Sequence, residues 1–360
     1  MSGKNSASRE ALLRLVNLVR PALASAIYIP ALTHIKFDGE KVVAFNDVSA
    51  ISVRGQVELA CCVPGELLLR TLNSFGGESV LLQHDKRGGN VVISSGRSKV
   101  TLPVLELKDF PFDEPTEDAP EVALDANILK GIERCLFSVG NDPTHPAQMG
   151  VTLDCDERGC VVLYSTDNFT ISRYVTKTER KLPGGAPVIL PRFFCEQLVT
   201  LTRAFPDDPP TLWLYPGAHV ATFGKNASLF TRTLVDLIPL DFPTTFAKAC
   251  PLGKVEFAPI PDAFDASLGR ALLVLEGELD KSTKIALGNE SLRLRTVSKM
   301  GDADDVMGLD GDFPDMEFFV DPTLVLRASK TCAQLALLPK VLVLASEDQS
   351  FIHLISHCAS

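Results

Sequence analysis

Two patterns of hydrophobic positions alternate along the chain, one typical of helices and the other of strands. In SREALLRLVNLVRPAL, LDANILKGIERCLFSV and PDAFDASLGRALLVL the apolar residues recur every three or four positions, which predicts three amphipathic helices. The residues suited to cap these helices or to enter their first turns are Ser8, Asp125 and Asp262. Three more helices are predicted to begin at prolines, because the missing N–H costs nothing at the first helical position. These prolines are Pro64, Pro191 and Pro322.

Between these helices, hydrophobic positions alternate with polar ones, as in β-strands. The segments HIKFDGEKVVAFNDVSAISVRG, GVTLDCDERGCVVLYSTDNFTISRYV and STKIALGNESLRLRTVSK are predicted to form hairpins with Gly or Asp in their turns. The chain thus has helix, strands, helix and strands three times in succession. This order predicts an α+β fold of three repeated domains, each with two helices packed on antiparallel sheets.

A sequence echo supports the repeat. LPVLELKDFP ends at Pro111 and LVDLIPLDFP ends at Pro243, which is 132 positions later. We place the predicted domains at residues 1–118, 119–250 and 251–360. The acidic, proline-rich segment 110–124 and the segment 242–254 are predicted to be solvated linkers.

Composition narrows the class of protein. The chain has 360 residues, of which 46% are hydrophobic and 22% charged, so it can bury cores and is predicted to form two or three domains. It has no apolar run long enough to span a bilayer and no secretory h-region at its start. The nine scattered cysteines are interpreted as reduced thiols of a cytoplasmic protein.

No catalytic machinery is evident in the sequence. The chain lacks a G-x-S-x-G elbow, a GxxxxGK[ST] loop and an H-E-x-x-H motif, and its six His residues are dispersed, so we expect neither an enzyme nor a bound cofactor. The acidic segment Asp302–Asp315 does not fit an EF-hand, because Met307 occupies the position that needs Gly. It is predicted to be an exposed hairpin loop. A weak metal site there, or a metal-dependent hydrolase built on it, is the alternative.

Basic residues recur on the predicted helices although the chain has a formal net charge of −10. Several pairs lie three, four or eleven positions apart, spacings that place two side chains on one helical face. Two interpretations stay open: ordinary solvated helix faces, or cations that face phosphates without reading bases. The residues concerned are Arg9, Arg20, Arg70, Lys130, Arg134, Arg192, Arg203, Arg270, Arg327 and Lys330.

The order and spacing of several segments resemble the bacterial β sliding clamp family, the β subunits of DNA polymerase III, over nearly the whole chain. The family pattern is carried by the segments SSGRSKVTLPVLELKDFP, NDPTHPAQMG, GVTLDCDERGCVVLYSTDNFTISRYV, VILPRFFCEQLVTL and FTRTLVDLIPLDFP. The chain is similar to a diverged member. Phe169 stands where relatives usually have His, Ala26 stands where many have Arg, and the chain ends in the polar LISHCAS.

The resemblance implies a head-to-tail homodimeric ring of clamp domains, with helices lining a hole that holds duplex DNA. Such a ring tethers the replicative DNA polymerase and interacts with a clamp loader. The implied partner-peptide pocket comprises Thr166, Phe169, Ile171, Pro243, Ile352 and Leu354. The implied dimer interface pairs Val100 and Leu102 with Leu273 and Val274. The alternative is a clamp-fold interaction module that does not encircle DNA.

Overall fold

The computed structural model describes residues 5–25, 28–85, 87–179, 182–234, 240–288, 290–309 and 313–358. Ala26, one of the departures from the family pattern, lies outside the described residues. The chain combines α-helices with antiparallel β-sheets, which confirms the predicted α+β class. In this described part, no helix is long and apolar enough to cross a membrane. The helices are α1 (Arg9–Val19), α2 (Gly65–Ser74), α3 (Ala126–Cys135), α4 (Arg192–Ala204), α5 (Phe242–Ala249), α6 (Phe264–Val274) and α7 (Pro322–Ser329).

The first of two compact units comprises residues 1–125 and 193–233 and contains two antiparallel sheets. Sheet A has the strand order β1 (Asn5–Ser8), β6 (Ser79–Asp85), β7 (Asn90–Ser95) and β8 (Ser98–Pro103). Sheet B has the order β5 (Ala60–Pro64), β2 (His34–Asp38), β3 (Lys41–Phe45), β4 (Ser49–Arg54), β16 (Ala227–Arg232), β15 (Ala218–Phe223), β14 (Thr211–Tyr215) and β9 (Glu121–Ala123). Helix α1 packs against β3 and β4 through Leu12, Val16 and Val19, which are buried.

The second unit comprises residues 126–192 and 234–360 and also contains two antiparallel sheets. Sheet C has the order β13 (Val188–Pro191), β10 (Gly150–Cys155), β11 (Cys160–Thr166), β12 (Thr170–Glu179), β24 (Phe351–Ser356), β23 (Val341–Ala345), β22 (Gln334–Leu338) and β17 (Ala258–Pro259). Sheet D has the order β20 (Gly301–Gly308), β19 (Ser291–Ser298), β18 (Thr283–Gly288) and β21 (Met316–Val320). Helix α3 packs against β11 and β12, and α6 packs against α7, β19 and β20.

The order of elements repeats three times: a short strand, a helix, four strands, a second helix and three strands. The repeats begin at β1, β9 and β17, and their helix pairs are α1 with α2, α3 with α4, and α6 with α7. Helix α5 lies outside the repeat, between its second and third copies. The threefold repeat predicted from the sequence is therefore confirmed, whereas the domain boundaries after residues 118 and 250 remain predictions.

The helix starts are only partly as predicted. The Ser8 hydroxyl accepts a hydrogen bond from the Ala11 N–H at 3.3 Å and caps α1 as expected. Pro322 is the first residue of α7, but Pro64 and Pro191 end the strands that immediately precede α2 and α4. The prediction for Asp262 is wrong, because α6 begins two residues later and has no side-chain cap.

Neither predicted linker is solvated throughout, although residues 113–120 of the first form no helix or strand and are mostly exposed. Phe110 and Phe112 are 6% and 8% exposed, and both pack in an apolar cluster of sheet B with Phe45. In the second, residues 242–249 form α5, whose Phe242 and Phe246 are buried against sheet C, and residues 252–254 form a short 3-10 helix. Proline and acidic residues dominated the sequence prediction. The aromatic residues between them decide the structure, because each buries a large apolar area.

Candidate functional site

The helices concentrate positive charge in a chain that is acidic as a whole. The six helices other than α5 contain nine Arg or Lys residues and five Asp or Glu residues. Arg20 and Lys330 extend this set as the residues that end α1 and α7. With a formal net charge of −10 for the chain, the strands and loops carry the excess of acid. Cations that share one surface can attract polyanions even when the net charge of the protein is negative.

In the first unit, two of the predicted cations have partners within the chain. Arg20 donates to the Glu66 carboxylate from Nε to Oε1 at 2.8 Å and from Nη2 to Oε2 at 3.4 Å. Arg9 donates from Nη1 to the Leu72 carbonyl oxygen at 3.3 Å. Arg70 is exposed and forms no ion pair with a described residue, and Arg203 is exposed near the end of α4.

In the second unit, too, some predicted cations have partners within the chain and others are exposed. Arg270 donates to both carboxylate oxygens of Asp305, which raises the pKa of this guanidinium. Arg192 donates from Nη1 to the Val139 carbonyl oxygen at 2.8 Å, so its position is fixed by the fold. Lys130 and Lys330 are exposed, and within the described ranges neither forms an ion pair. These two ammonium groups and the Arg70 guanidinium are therefore the predicted cations most available to a ligand.

The remaining two predicted cations contact aromatic rings. The Arg134 guanidinium lies 5.9 Å from the ring centroid of Phe351, and that of Arg327 lies 5.0 Å from the ring centroid of Phe137. Both distances are typical of cation–π contacts. These contacts restrain the two side chains without neutralising their charge.

One exposed apolar residue stands at a hairpin tip of the predicted peptide pocket. The turn between β11 and β12 places Phe169 in solvent, with its side chain 66% exposed. The Asp167 carboxylate accepts hydrogen bonds from the backbone N–H groups of Phe169 and Thr170 at 3.0 and 2.7 Å. The Thr166 hydroxyl closes the turn by donating to the Thr170 carbonyl oxygen at 2.8 Å. Such side-chain bonds within a turn hold its tip in a defined position.

The other predicted pocket residues differ in exposure. Ile352 and Leu354 are 0% and 1% exposed and belong to an apolar cluster between sheet C and α5. Ile171 is half-buried against the same cluster and is paired with Leu354 across β12 and β24. Pro243 is exposed at the start of α5. Of the predicted pocket residues, Phe169, Ile171 and Pro243 are therefore at least partly accessible, whereas Ile352 and Leu354 belong to the core.

Helix α5 closes this cluster with aromatic contacts. The rings of Phe242 and Tyr164 are stacked with centroids 5.2 Å apart, and the Arg173 guanidinium lies 5.3 Å from the ring centroid of Phe246. The Asp241 carboxylate caps the helix by accepting from the Thr244 N–H at 3.1 Å. These contacts hold α5, whose first turn contains Pro243, against sheet C.

A buried polar network beneath the hairpin tip was not predicted. His353 is 2% exposed, and its Nδ1 lies 2.9 Å from the Ser172 hydroxyl and 3.4 Å from the Ser138 hydroxyl. Thr170 extends the network by donating to the Ser138 hydroxyl at 2.8 Å. Burial lowers the pKa of His353 to about 3. The period-two pattern of β12 places Ser172 on its more buried face, paired with His353 of β24, and this was the signal available in the sequence.

The predicted dimer residues lie on two different surfaces. Val100 is half-buried on β8, an edge strand of sheet A, and Leu102 on the same strand is 6% exposed. Leu273 is 70% exposed at the end of α6, next to the half-buried Val274. Leu102 is therefore part of the core of the first unit, and Leu273 is the most accessible residue of the four.

The first half of the acidic segment Asp302–Asp315, predicted as a loop, is part of a strand. Residues 301–308 form β20, an edge strand of sheet D, while residues 310–312 lie outside the described residues. Asp304 accepts hydrogen bonds from Arg293, and Asp305 from Arg270. Within the described ranges, no group of three or more His, Cys, Asp or Glu residues is placed to hold a metal ion. These carboxylates have cationic side chains as partners.

Comparisons with known proteins agree with the resemblance found in the sequence. The chain matches no protein-family model. It is 23% identical to the beta sliding clamp of Streptococcus pneumoniae strain R6, with 98% of both chains covered. It is also 23% identical to the beta sliding clamp of Lactococcus lactis strain IL1403, with 66% of this chain and 65% of that protein covered.

Solved structures match over the whole chain. The beta sliding clamp of Caulobacter crescentus matches with a TM-score of 0.84, 19% identity and complete coverage of both chains. The sliding clamp of Pseudomonas aeruginosa, solved with griselimycin bound, matches with a TM-score of 0.84 and 16% identity over 99% of this chain and 100% of that one. The DNA polymerase III beta subunit of Thermotoga maritima matches with a TM-score of 0.83 and 16% identity over 99% of both chains. The chain therefore has the sliding-clamp fold, at low sequence identity to the solved clamps.

Proposed function

We propose that this chain is a DNA sliding clamp: a processivity factor without catalytic activity that encircles duplex DNA and tethers a replicative polymerase. The observation that carries the proposal is the excess of cationic side chains on the paired helices of a sliding-clamp fold whose overall charge is negative. The names of the relatives in both comparisons support the same function.

The helix cations suit a ligand that must move. Arg70, Lys130 and Lys330 are exposed on flexible side chains and have no ion-pair partner in the part of the chain that the structure describes. Phosphate contacts of this kind carry no sequence information and weaken as salt rises, because binding releases counterions. The acidic remainder of the molecule disfavours DNA elsewhere. Attraction that is distributed and sequence-blind permits sliding along the duplex.

The repeat also supports a closed dimer. Strand β4 is the third of the four strands between the two helices of the first repeat. In sheet B it pairs with β16, the last strand of the second repeat. In sheet C, β12 and β24 pair in the same way. The equivalent strands of the remaining junction are β20 and β8, and each is an edge of a four-stranded sheet. We infer that β20 of one chain pairs with β8 of a second, a head-to-tail contact that closes when made twice.

Partners are proposed to bind at the site of Phe169, Ile171 and Pro243. An exposed aromatic residue beside half-buried apolar ones is the usual anchor arrangement for a short peptide motif. We propose the replicative polymerase and the clamp loader as its ligands, in the cytoplasm. The bond from Gln148 Nε2 to Asn168 Oδ1, 2.6 Å long, holds the turn that presents Phe169.

Retention on circular DNA tests the proposal. The protein is loaded on nicked circular duplex, the circle is isolated, and bound protein is measured before and after linearisation. A clamp stays on the circle, leaves the linear molecule, and dissociates faster as salt increases. The triple variant Arg70→Glu, Lys130→Glu, Lys330→Glu should leave the circle at least about tenfold faster. A double variant that reverses Lys225 and Lys340, which lie in hairpin turns of sheets B and C, is compared with each pair of changes from the triple variant as its control.

The alternative function, an interaction module that does not encircle DNA, has one observation in its favour. Arg20 and Arg270 form ion pairs with Glu66 and Asp305, which reduces the attraction of both for phosphate. The same experiment separates the two functions. Equal amounts of protein on circular and linear DNA, or no effect of the triple variant, would favour the alternative.

A further inference from the structure

The first unit contains a groove on the face of β14, β15 and β16. Its cavity volume is about 370 Å³, and its floor includes Trp213, Tyr215, Val220 and Phe230. Residues 114–118 form the opposite wall. The Trp213 indole is half-buried and donates from Nε1 to the Thr222 hydroxyl at 3.0 Å, so the ring is held in one orientation. A concave apolar surface with fixed aromatic side chains is typical of a peptide-binding site.

The repeat assigns this groove a counterpart in the second unit. The Val48 carbonyl oxygen accepts from the Arg232 N–H at 2.9 Å, and the Phe169 carbonyl oxygen accepts from the Ser356 N–H at 2.8 Å. Val48 and Phe169 are both exposed apolar residues at hairpin tips, 53% and 66% exposed. These matching bonds show that the junction of β4 with β16 is equivalent to that of β12 with β24. The groove is therefore equivalent to the surface beside the proposed partner site.

The strand registers extend this equivalence across the sheets. In sheet B, Phe230 is paired with Val220, which is paired with Trp213. In sheet C the equivalent row runs from Leu354 through Val343 to Ala336. The row in sheet C is fully buried, because α5 and the segment after it pack upon it.

In sheet B, no α-helix of the described ranges covers the corresponding row. After Phe110 the chain contributes Phe112, whose ring centroid lies 4.9 Å from that of Phe45 and 5.1 Å from that of Phe230. The chain then has no described secondary structure before β9, and the rings of Trp213 and Tyr215 remain half-buried. The first unit thus leaves open an aromatic surface that the second unit fills with its own residues.

The charges at the groove are acidic. Glu114 is held by Lys41, at 2.6 Å from Nζ to Oε2, and by the Ser228 hydroxyl at 2.6 Å. Glu117 and Asp118 are exposed on the same wall and form no ion pair with a described residue. Carboxylates around an aromatic floor complement a ligand that carries both cationic and apolar groups.

We propose that this groove binds a short linear peptide of a partner protein, with an aromatic or aliphatic anchor flanked by Lys or Arg. The anchor lies on Trp213 and Tyr215, and the flanking cations face Glu117 and Asp118. This site is separate from the Phe169 site, and its occupancy does not require DNA. It gives the chain a second place at which a partner is recruited.

Trp213 reports on the groove because it is the only tryptophan of the chain. The probe is acetyl-Lys-Leu-Phe-Lys-Phe-Leu-Lys-amide, titrated into the full chain while the tryptophan emission is recorded. The control peptide has Glu in place of each Lys. We expect a saturable shift of the emission with the basic peptide below about 1 mM and at least about fivefold weaker binding of the acidic one.

Two variants locate the binding. Tyr215→Ala should reduce the affinity for the basic peptide about tenfold, because it removes part of the floor of the groove. The double variant Glu117→Lys, Asp118→Lys changes two exposed residues. It should reduce the affinity for the basic peptide about fivefold at low salt and hardly at all at high salt. Phe169→Ala, in the other proposed site, should leave the tryptophan signal unchanged. Retention on circular DNA is measured separately, so failure of this proposal and failure of the clamp function are distinguishable.

Three results would overturn the proposal. One is a tryptophan emission that does not respond to the basic peptide up to about 1 mM. Another is equal binding of the acidic and basic peptides, which would remove the assigned charge selectivity. The third is binding that survives the Glu117 and Asp118 changes at low salt but is lost in Phe169→Ala, which would assign the peptide to the other site.

Discussion

The Arg270 guanidinium on α6 donates two hydrogen bonds to Asp305 on β20, from Nη2 to Oδ1 at 2.8 Å and from Nε to Oδ2 at 3.0 Å. The carboxylate neutralises a cation that the clamp proposal assigns to DNA. We therefore expect Asp305→Asn to free this charge and to lengthen the half-life on circular DNA about twofold to threefold, with a steeper salt dependence. Dissociation from the circle, timed at several salt concentrations, provides the measurement.

The control for this change is Asp302→Asn. Asp302 is exposed on the same strand but three positions away, so its side chain projects from the opposite face of sheet D. It removes the same charge without touching Arg270 and should leave retention unchanged. If both variants prolong retention equally, the effect is one of net charge and Arg270 has no special role.

Phe169 and Leu354 separate binding from folding at the proposed partner site. Phe169 is 66% exposed, so Phe169→Ala should leave the free energy of unfolding nearly unchanged and weaken a partner peptide about tenfold or more. Leu354 is 1% exposed, so Leu354→Ala should destabilise the fold by about 2–5 kcal/mol. Urea unfolding and peptide titration of both variants check this. If neither variant loses affinity for the peptide, the partner site lies elsewhere.

The sequence predicted most of the elements for a simple physical reason. Leu12, Val16 and Val19 recur at helical spacing and are the residues that α1 buries. In β18 and β19 the buried residues alternate with less buried ones, as the period-two pattern predicted. Local periodicity survives in the fold because each element buries one face.

The errors arose where long-range packing outweighed local composition. The proline-rich segment 110–124 was predicted to be solvated, but its Phe112 packs against the rings of Phe45 and Phe230, which are distant in sequence. Polar pairing is equally non-local. Neither the bond between Arg192 and the Val139 carbonyl nor that between Arg270 and Asp305 follows from spacing along one helix. The charge pattern predicted which helices carry cations, but not which cations are already paired.

Leu273 offers a test of the dimer contact. It is 70% exposed at the end of α6, and a hydrophobic side chain this open is a candidate for an interface. Leu273→Asp should shift the protein from dimer to monomer in sedimentation, because a charge is costly in a buried apolar contact. Val48→Asp, at a 53% exposed hairpin tip with no assigned contact between copies, is the matched control. A monomeric wild type, or a dimer that tolerates Leu273→Asp, would contradict the assignment.

His353 should make stability depend on pH in a defined window. Burial, and secondarily the positive charge of Arg327, lowers the pKa of His353 to about 3. In the unfolded chain its pKa is about 6.5, so below that pH the unfolded state binds a proton at His353 that the folded state does not. The free energy of unfolding is therefore not reduced by this residue above pH 6.5, and it decreases as the pH falls toward 3. Between pH 7 and pH 5 the free energy of unfolding should decrease by about 2 kcal/mol because of His353. His353→Asn keeps a hydrogen-bonding group beside Ser172 but does not titrate, so urea midpoints should show a flatter pH dependence. Parallel curves for the two proteins would mean that His353 is accessible to protons in the folded state.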